Sequence, residues 1–163
     1  SYLSSLPSCV GGKVLQVVST NKTAVESINS GDSAFTNISG LSATITPSAT
    51  SSKIFVIASV VITFNNNTYG SLGGMRIQRG TTGLNIGGET YSSTTVVGQN
   101  ESSVYARATL PIQFLDSPST TNATTYNIGV KNAVGGTVTC VINGNKSGSN
   151  AGSSTITVME IGA

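Results

Sequence analysis

The stretch "KIFVIASVVITF", Lys53 to Phe64, decides the fold. Ile54, Val56, Ala58, Val60, Ile62 and Phe64 recur at every second position and share one face, while Phe55, Ile57 and Val61 stand on the other. A period of two in a run rich in β-branched residues is the signature of a strand. A strand that meets water on one side reads polar on that side. One that is apolar on both is either central in a sandwich or covered by a neighbouring subunit.

Outward from this segment the strand signals continue and helical ones fail. "GKVLQVVST" (Gly12 to Thr20) opens the series, followed by short pieces at "SAFTNI" and "LSATITP", where Leu41, Ala43 and Ile45 alternate with polar residues until Pro47. "GGMRIQRG" and "GLNIGGE" flank a "GTTG" turn and read as a hairpin. "SVYARATLPIQFLD" is a long strand that Pro111 restricts to an edge or a bulge. "TTYNIGVKN", "GTVTCVIN" and "STITVMEIG" complete the set. The one helical candidate, "TAVESINSG", is too short and too rich in Thr, Ser and Asn, and reads as a short strand or turn. About eight to ten antiparallel strands separated by Gly, Ser, Asn and Thr turns predict an all-β sandwich of jelly-roll type with essentially no helix. In "QFLDSPSTTNATTYNIGV", Asp116 is expected to accept backbone hydrogen bonds in a turn and Pro118 to block further pairing. Tyr126 then re-enters the core after a surface loop.

Size and composition bound the rest. A chain of 163 residues fits one domain that buries roughly 70% of its unfolded surface. The segment 13–163 is expected to form that domain and 1–12 an N-terminal arm. Only 9% of residues are charged and the net charge is +2, with eight scattered cations, so the clustered Lys and Arg that phosphate neutralisation demands are missing and nucleic acid is not an expected partner. The nearest pair, Arg76 and Arg79, reads as a solvated strand face. No apolar run reaches the ~18 residues of a membrane span, and the start lacks the cationic head and apolar run of a secretory signal. Ser1 is small, as expected after removal of an initiator Met, so the chain reads as a complete short gene product.

Catalytic and metal chemistry find little to use. There is no His, and Cys9 and Cys140 lack metal-ligand spacing and read as free thiols, so no cofactor or metal is expected. The six acids are dispersed; a pair such as Glu89 with Glu101, assembled in space, is the one glycosidase reading. The chain is not expected to be an enzyme. Six glycosylation patterns, at Asn21, Asn37, Asn66, Asn100, Asn122 and Asn145, are what chance yields in a chain this rich in Asn, Ser and Thr. "GGTVTCVINGNKSGSNAGSS" has the look of a calcium loop but carries no carboxylate and reads as a flexible loop. Without His, assembly is expected to be insensitive to pH between 5 and 8.

Four segments in order, "GKVLQVVSTNKT", "LSATITPSATSSKIFVIASV", "FLDSPSTTNATTYNIGV" and "STITVMEIGA", resemble a little-characterised domain of tailed-phage virion proteins. Such domains occur in capsid-decorating and fibre proteins and are similar to the trimeric jelly rolls of the tumour-necrosis-factor and complement globular-head type. The resemblance covers most of the chain. It implies a structural bacteriophage protein on the outer surface of the virion, a homotrimer whose partners are itself and the major capsid protein or another virion protein.

Only "SYLSSLPSCVGG" precedes the first strand, which fits a capsid decoration or cement protein better than a fibre with its shaft. The alternatives are a knob that binds a host receptor or surface glycan, and a polysaccharide-degrading spike. Exposed aromatic platforms would serve a glycan reader, and with no Trp the chain offers five tyrosines. On this reading Phe55, Ile57 and Val61 form the subunit interface. Tyr2, Leu3, Leu6 and Val10 form the attachment arm, which Pro7, Gly11 and Gly12 keep out of regular structure.

Overall fold

The structure is a computed structural model and describes residues 12–30, 34–65, 72–84, 94–97, 106–132, 138–145, 147–150 and 152–162. These residues form eleven strands: β1 (Val14–Lys22), β2 (Glu26–Ser30), β3 (Thr36–Ile45), β4 (Lys53–Asn65), β5 (Leu72–Arg79), β6 (Thr82–Gly83), β7 (Thr94–Val97), β8 (Ala106–Asp116), β9 (Thr124–Asn132), β10 (Val138–Ile142) and β11 (Ser154–Ile161). All pairings are antiparallel, and the strands make two sheets. The larger runs β1-β11-β4-β10-β2 with β8 also on β4; the smaller runs β3-β9-β5-β6 with β7 also on β5.

The extra strands are halves of longer ones. β11 lies along Lys53–Ser59 of β4, and β10 continues the same line along Ile62–Asn65. β1 and β2 follow them in turn. Counted this way, β1/β2, β11/β10, β4 and β8 face β3, β9, β5 and β7, an order compatible with a jelly roll.

The central strand meets the expectation for its inner face: Ile54, Val56, Ala58, Val60 and Ile62 are all buried. They pack with Leu41, Ile45, Met75, Ile77, Tyr126, Ile128, Ile142, Ile156 and Val158 in one core between the sheets. β8 pairs β4 along its whole length and no other strand among the described residues, with Pro111 opposite Ser59, so the proline stands in an edge strand as anticipated. A hairpin closes here as β5–β6, with Gly80 at φ 61° supplying the left-handed turn residue, but β6 is only Thr82–Gly83, within "GTTG", and residues 85–89 of the expected second strand lie outside the described residues. "SAFTNI" and "LSATITP" are not separate pieces. They join as β3, whose pairing with β9 shifts between Asn37 and Ser42 where Gly40 takes φ 66°. "TAVESINSG" ends in strand β2.

Two carboxylates close one end of the sandwich. Gln16, Glu160, Ile54 and Asp116 are register partners across β1, β11, β4 and β8, on the inner face. Asp116 does not cap a turn. Its Oδ2 accepts from the Tyr126 hydroxyl at 2.7 Å and from Arg79 Nη1 at 2.9 Å, both on the smaller sheet, because its side chain points inward at the end of β8. Arg79 is therefore paired and not simply solvated. Burial and the neighbouring Asp116 push the Tyr126 phenol up, so it stays a donor.

Glu160, fully enclosed, accepts from Ser48 N at 2.7 Å, Ser48 Oγ at 2.6 Å and Gln16 Nε2 at 2.6 Å. Burial opposes its ionisation, but these donors outweigh it and hold the carboxyl down to about 2. A folded pKa below the unfolded value of about 4.3 stabilises fully above that value, and the contribution is lost as pH falls towards 2. Urea unfolding of the wild type between pH 5 and pH 2 is expected to show this acid-dependent loss. Glu160→Gln, which sets an amide against these donors, should be less stable at neutral pH by about 2 kcal/mol and show a flatter acid limb.

The segment between β10 and β11 leaves the larger sheet and returns to it. Asn143, buried at φ 56°, fastens its base: Nδ2 donates to Lys22 O at 2.8 Å and Ala24 O at 3.2 Å, and Oδ1 accepts from Ser154 Oγ at 2.6 Å. Asn145 Oδ1 then accepts from Ser147 N, Ser147 Oγ and Ser149 N. This is a hydrogen-bonded turn and not the loose loop that its Gly and Ser content suggested. Asn143→Ala removes three hydrogen bonds and places alanine in a left-handed backbone, so a loss of about 2–3 kcal/mol in chemical denaturation is expected. Cys140 is a free, buried thiol whose pKa burial pushes up to about 12; Cys9 lies outside the described residues.

Candidate assembly interface

The outer face of the larger sheet carries what Lys53–Phe64 hinted at, assembled from four strands. Register aligns Val17 of β1 with Met159 of β11, Met159 with Phe55 of β4, and Phe55 with Leu115 of β8. This row is an apolar stripe across the sheet. Val17 is 55% exposed and Leu115 49%, while Phe55 and Met159 are half-buried between them.

The next row is Ser19, Thr157, Ile57 and Gln113, and the one after it Asn21, Thr155, Ser59 and Pro111. None of these twelve residues is charged. Ser19 and Thr157 bond each other at 2.8 Å, which satisfies hydroxyls within the face. Ile57, 37% exposed, extends the stripe into the second row, and Val14 and Leu15 extend it at the irregular start of β1. Lys53 borders the face at one end and Arg107 at the other.

Of the three residues expected at a subunit interface, Phe55 and Ile57 lie on this face and Val61 does not remain available. Val61 points the same way but is buried by its own chain. Its amide donates to Ser154 Oγ, its carbonyl accepts from Asn143 N, and Gly152 lies over its side chain so closely that a Cβ there would stand 3.0 Å from Val61 Cγ2. The excursion between β10 and β11 does the covering that a neighbouring subunit was expected to do. Val17, Met159 and Leu115 were not singled out in the sequence. Each belongs to an alternating strand whose apolar residues are few on that side, and only cross-strand register brings them into line with Phe55. The arm residues Tyr2, Leu3, Leu6 and Val10, and the acids Glu89 and Glu101, lie outside the described residues.

No family model and no curated protein matches the sequence. Among solved structures the chain is similar to one in the structure of infectious bursal disease virus Gt strain, with a TM-score of 0.38 and 16% identity over 91% of this chain and 38% of that one. It is similar also to one from the Gx strain, with a TM-score of 0.35 and 13% identity over 90% and 38%. The chain thus spans well under half the length of each.

Proposed function

We propose that this chain is a structural protein of a tailed-phage virion, a homotrimeric decoration or cement protein on the outer surface. The observation that carries the assembly half of this reading is the uncharged face built around Val17, Met159, Phe55 and Leu115. An antiparallel sheet whose outer face met only water would carry polar residues there, and contiguous exposed apolar side chains mark interaction surfaces. Covering the exposed halves of Val17, Ile57 and Leu115 contributes about 1 kcal/mol each per subunit, and closed symmetry repeats the gain at every interface. The virion half is supported by the four segments that resemble phage virion domains and by a sandwich compatible with the expected jelly roll.

Attachment is assigned to the arm, with Leu3 and Leu6 as its apolar anchors. Deleting Ser1–Ser8 and measuring both assembly and capsid binding tests this. Intact trimers that no longer bind capsids are the expected outcome, and unchanged capsid binding would remove the arm from the account. A cement role further requires that the protein copurify with capsids in fixed stoichiometry and raise their resistance to heat.

A further inference from the structure

The opposite face of the sandwich holds a second feature, independent of the assembly stripe. On the outer side of the smaller sheet a cleft of about 440 Å³ is lined by Phe35, Asn37, Arg76, Gln78, Thr81 and Lys131, among others. Arg76 lies over the Phe35 ring with its guanidinium carbon 4.0 Å from the centroid, and Lys131 Nζ approaches the same ring to 5.8 Å. Neither cation has a carboxylate partner among the described residues. Two positive charges held on one aromatic ring, with no counterion among the described residues, leave a positive field in this open cleft.

Two buried polar atoms there are also unpartnered. Gln78 is 3% exposed, and its Oε1 accepts no hydrogen bond. Arg76 Nε donates none, and burial lowers the guanidinium pKa from its usual value. The Gln78 amide lies over Gly129 of β9, where a Cβ would collide with Oε1, so the neighbouring strand leaves it room. Its Nε2 is turned towards Thr81 O, 3.4 Å away. A buried acceptor without a donor costs free energy unless something supplies one, and such groups in a native fold call for an explanation.

We propose that this cleft binds an acidic saccharide, its carboxylate on Arg76 and Lys131 and a ring hydroxyl donating to Gln78 Oε1. The ligand must bring a negative charge for the two cations and a neutral O–H donor for the amide oxygen. A uronic acid carries both on one ring. An amino-acid carboxylate brings an ammonium as its donor, which Arg76 and Lys131 repel, and a simple carboxylate has no donor for Gln78. The cleft volume lies within the range of small-molecule sites.

The test is ligand-observed saturation-transfer NMR on the full chain with glucuronate as probe, run beside glucose, acetate and methyl phosphate. Glucuronate should bind at millimolar concentration, and the other three should give little or no signal. Arg76→Gln and Gln78→Leu should each weaken glucuronate binding by about tenfold. The melting temperature of each variant confirms that it is folded, and Lys131→Gln, which alters a half-buried surface side chain, serves as a third variant if either of the others fails to fold. Silence of glucuronate, an equal response to acetate or methyl phosphate, or binding unchanged in the folded variants would overturn the proposal. None of these outcomes bears on trimerisation, which uses the other sheet.

Discussion

Asp116→Ala is expected to destabilise the fold by about 3 kcal/mol, the largest effect of any single polar substitution described for this chain. Asp116 is 6% exposed and joins the sheets at one end of the sandwich, taking the Tyr126 hydroxyl and Arg79 on a single oxygen. Alanine leaves the hydroxyl of a fully buried tyrosine without an acceptor. Arg79, about one third exposed, turns to water, which keeps the loss at the lower end of what breaking a buried pair costs. Tyr126→Phe leaves the ion pair in place and should lose about 1 kcal/mol. The comparison is made by urea denaturation at unchanged slope. Equal losses in the two variants would mean that the tyrosine, and not Arg79, accounts for what Asp116 contributes.

The second large effect falls on assembly and not on stability. Leu115→Glu and Val17→Glu each put a carboxylate at one end of the apolar stripe. Both side chains are about half exposed in the single chain, so the fold should keep its unfolding midpoint within about 0.5 kcal/mol. Burying an unpaired charge in every subunit contact should weaken association by at least about a hundredfold. Thr44→Glu, an exposed position on the outer side of the smaller sheet, is the matched control and should assemble as the wild type does. Light scattering across a concentration series reads all three. Loss of assembly in the Thr44 variant together with retention in the Leu115 variant would move the interface to the other sheet.

How far the sequence revealed this architecture depended on whether the signal lay within one strand or between strands. The alternation of Ile54 to Ile62 is a local pattern, and it put one face of β4 in the core without any knowledge of partners, while leaving the strand either central in a sandwich or covered by a neighbouring subunit. Pro111 was equally legible, because a residue without an N–H fits only where no second strand needs that donor. The stripe was half legible. Phe55 and Ile57 stood out inside one strand, but Val17, Met159 and Leu115 join them only through register across four strands, which no single segment encodes.

The same limit explains Val61 and Asp116. Val61 is apolar on the outward side, and nothing near it in sequence says that residues more than eighty positions later fold back over it. Asp116 beside Ser117 and Pro118 has every local mark of a turn acceptor, yet the inward parity of β8 commits it to Tyr126 and Arg79 on the facing sheet. The loop from Asn143 was misread for a related reason. Its Gly, Ser and Asn content looks unstructured, but Asn143 and Asn145 each gather several hydrogen bonds that composition cannot show.

The most direct test of the central claim is sedimentation equilibrium of the full chain at micromolar concentration in the absence of capsid. Covering the stripe of Val17, Met159, Phe55 and Leu115 by closed symmetry, in the trimer proposed above from the resemblance, predicts a single species with three times the mass of one chain, unchanged between pH 5 and 8. A species with the mass of one chain, stable across that concentration range, would contradict the account.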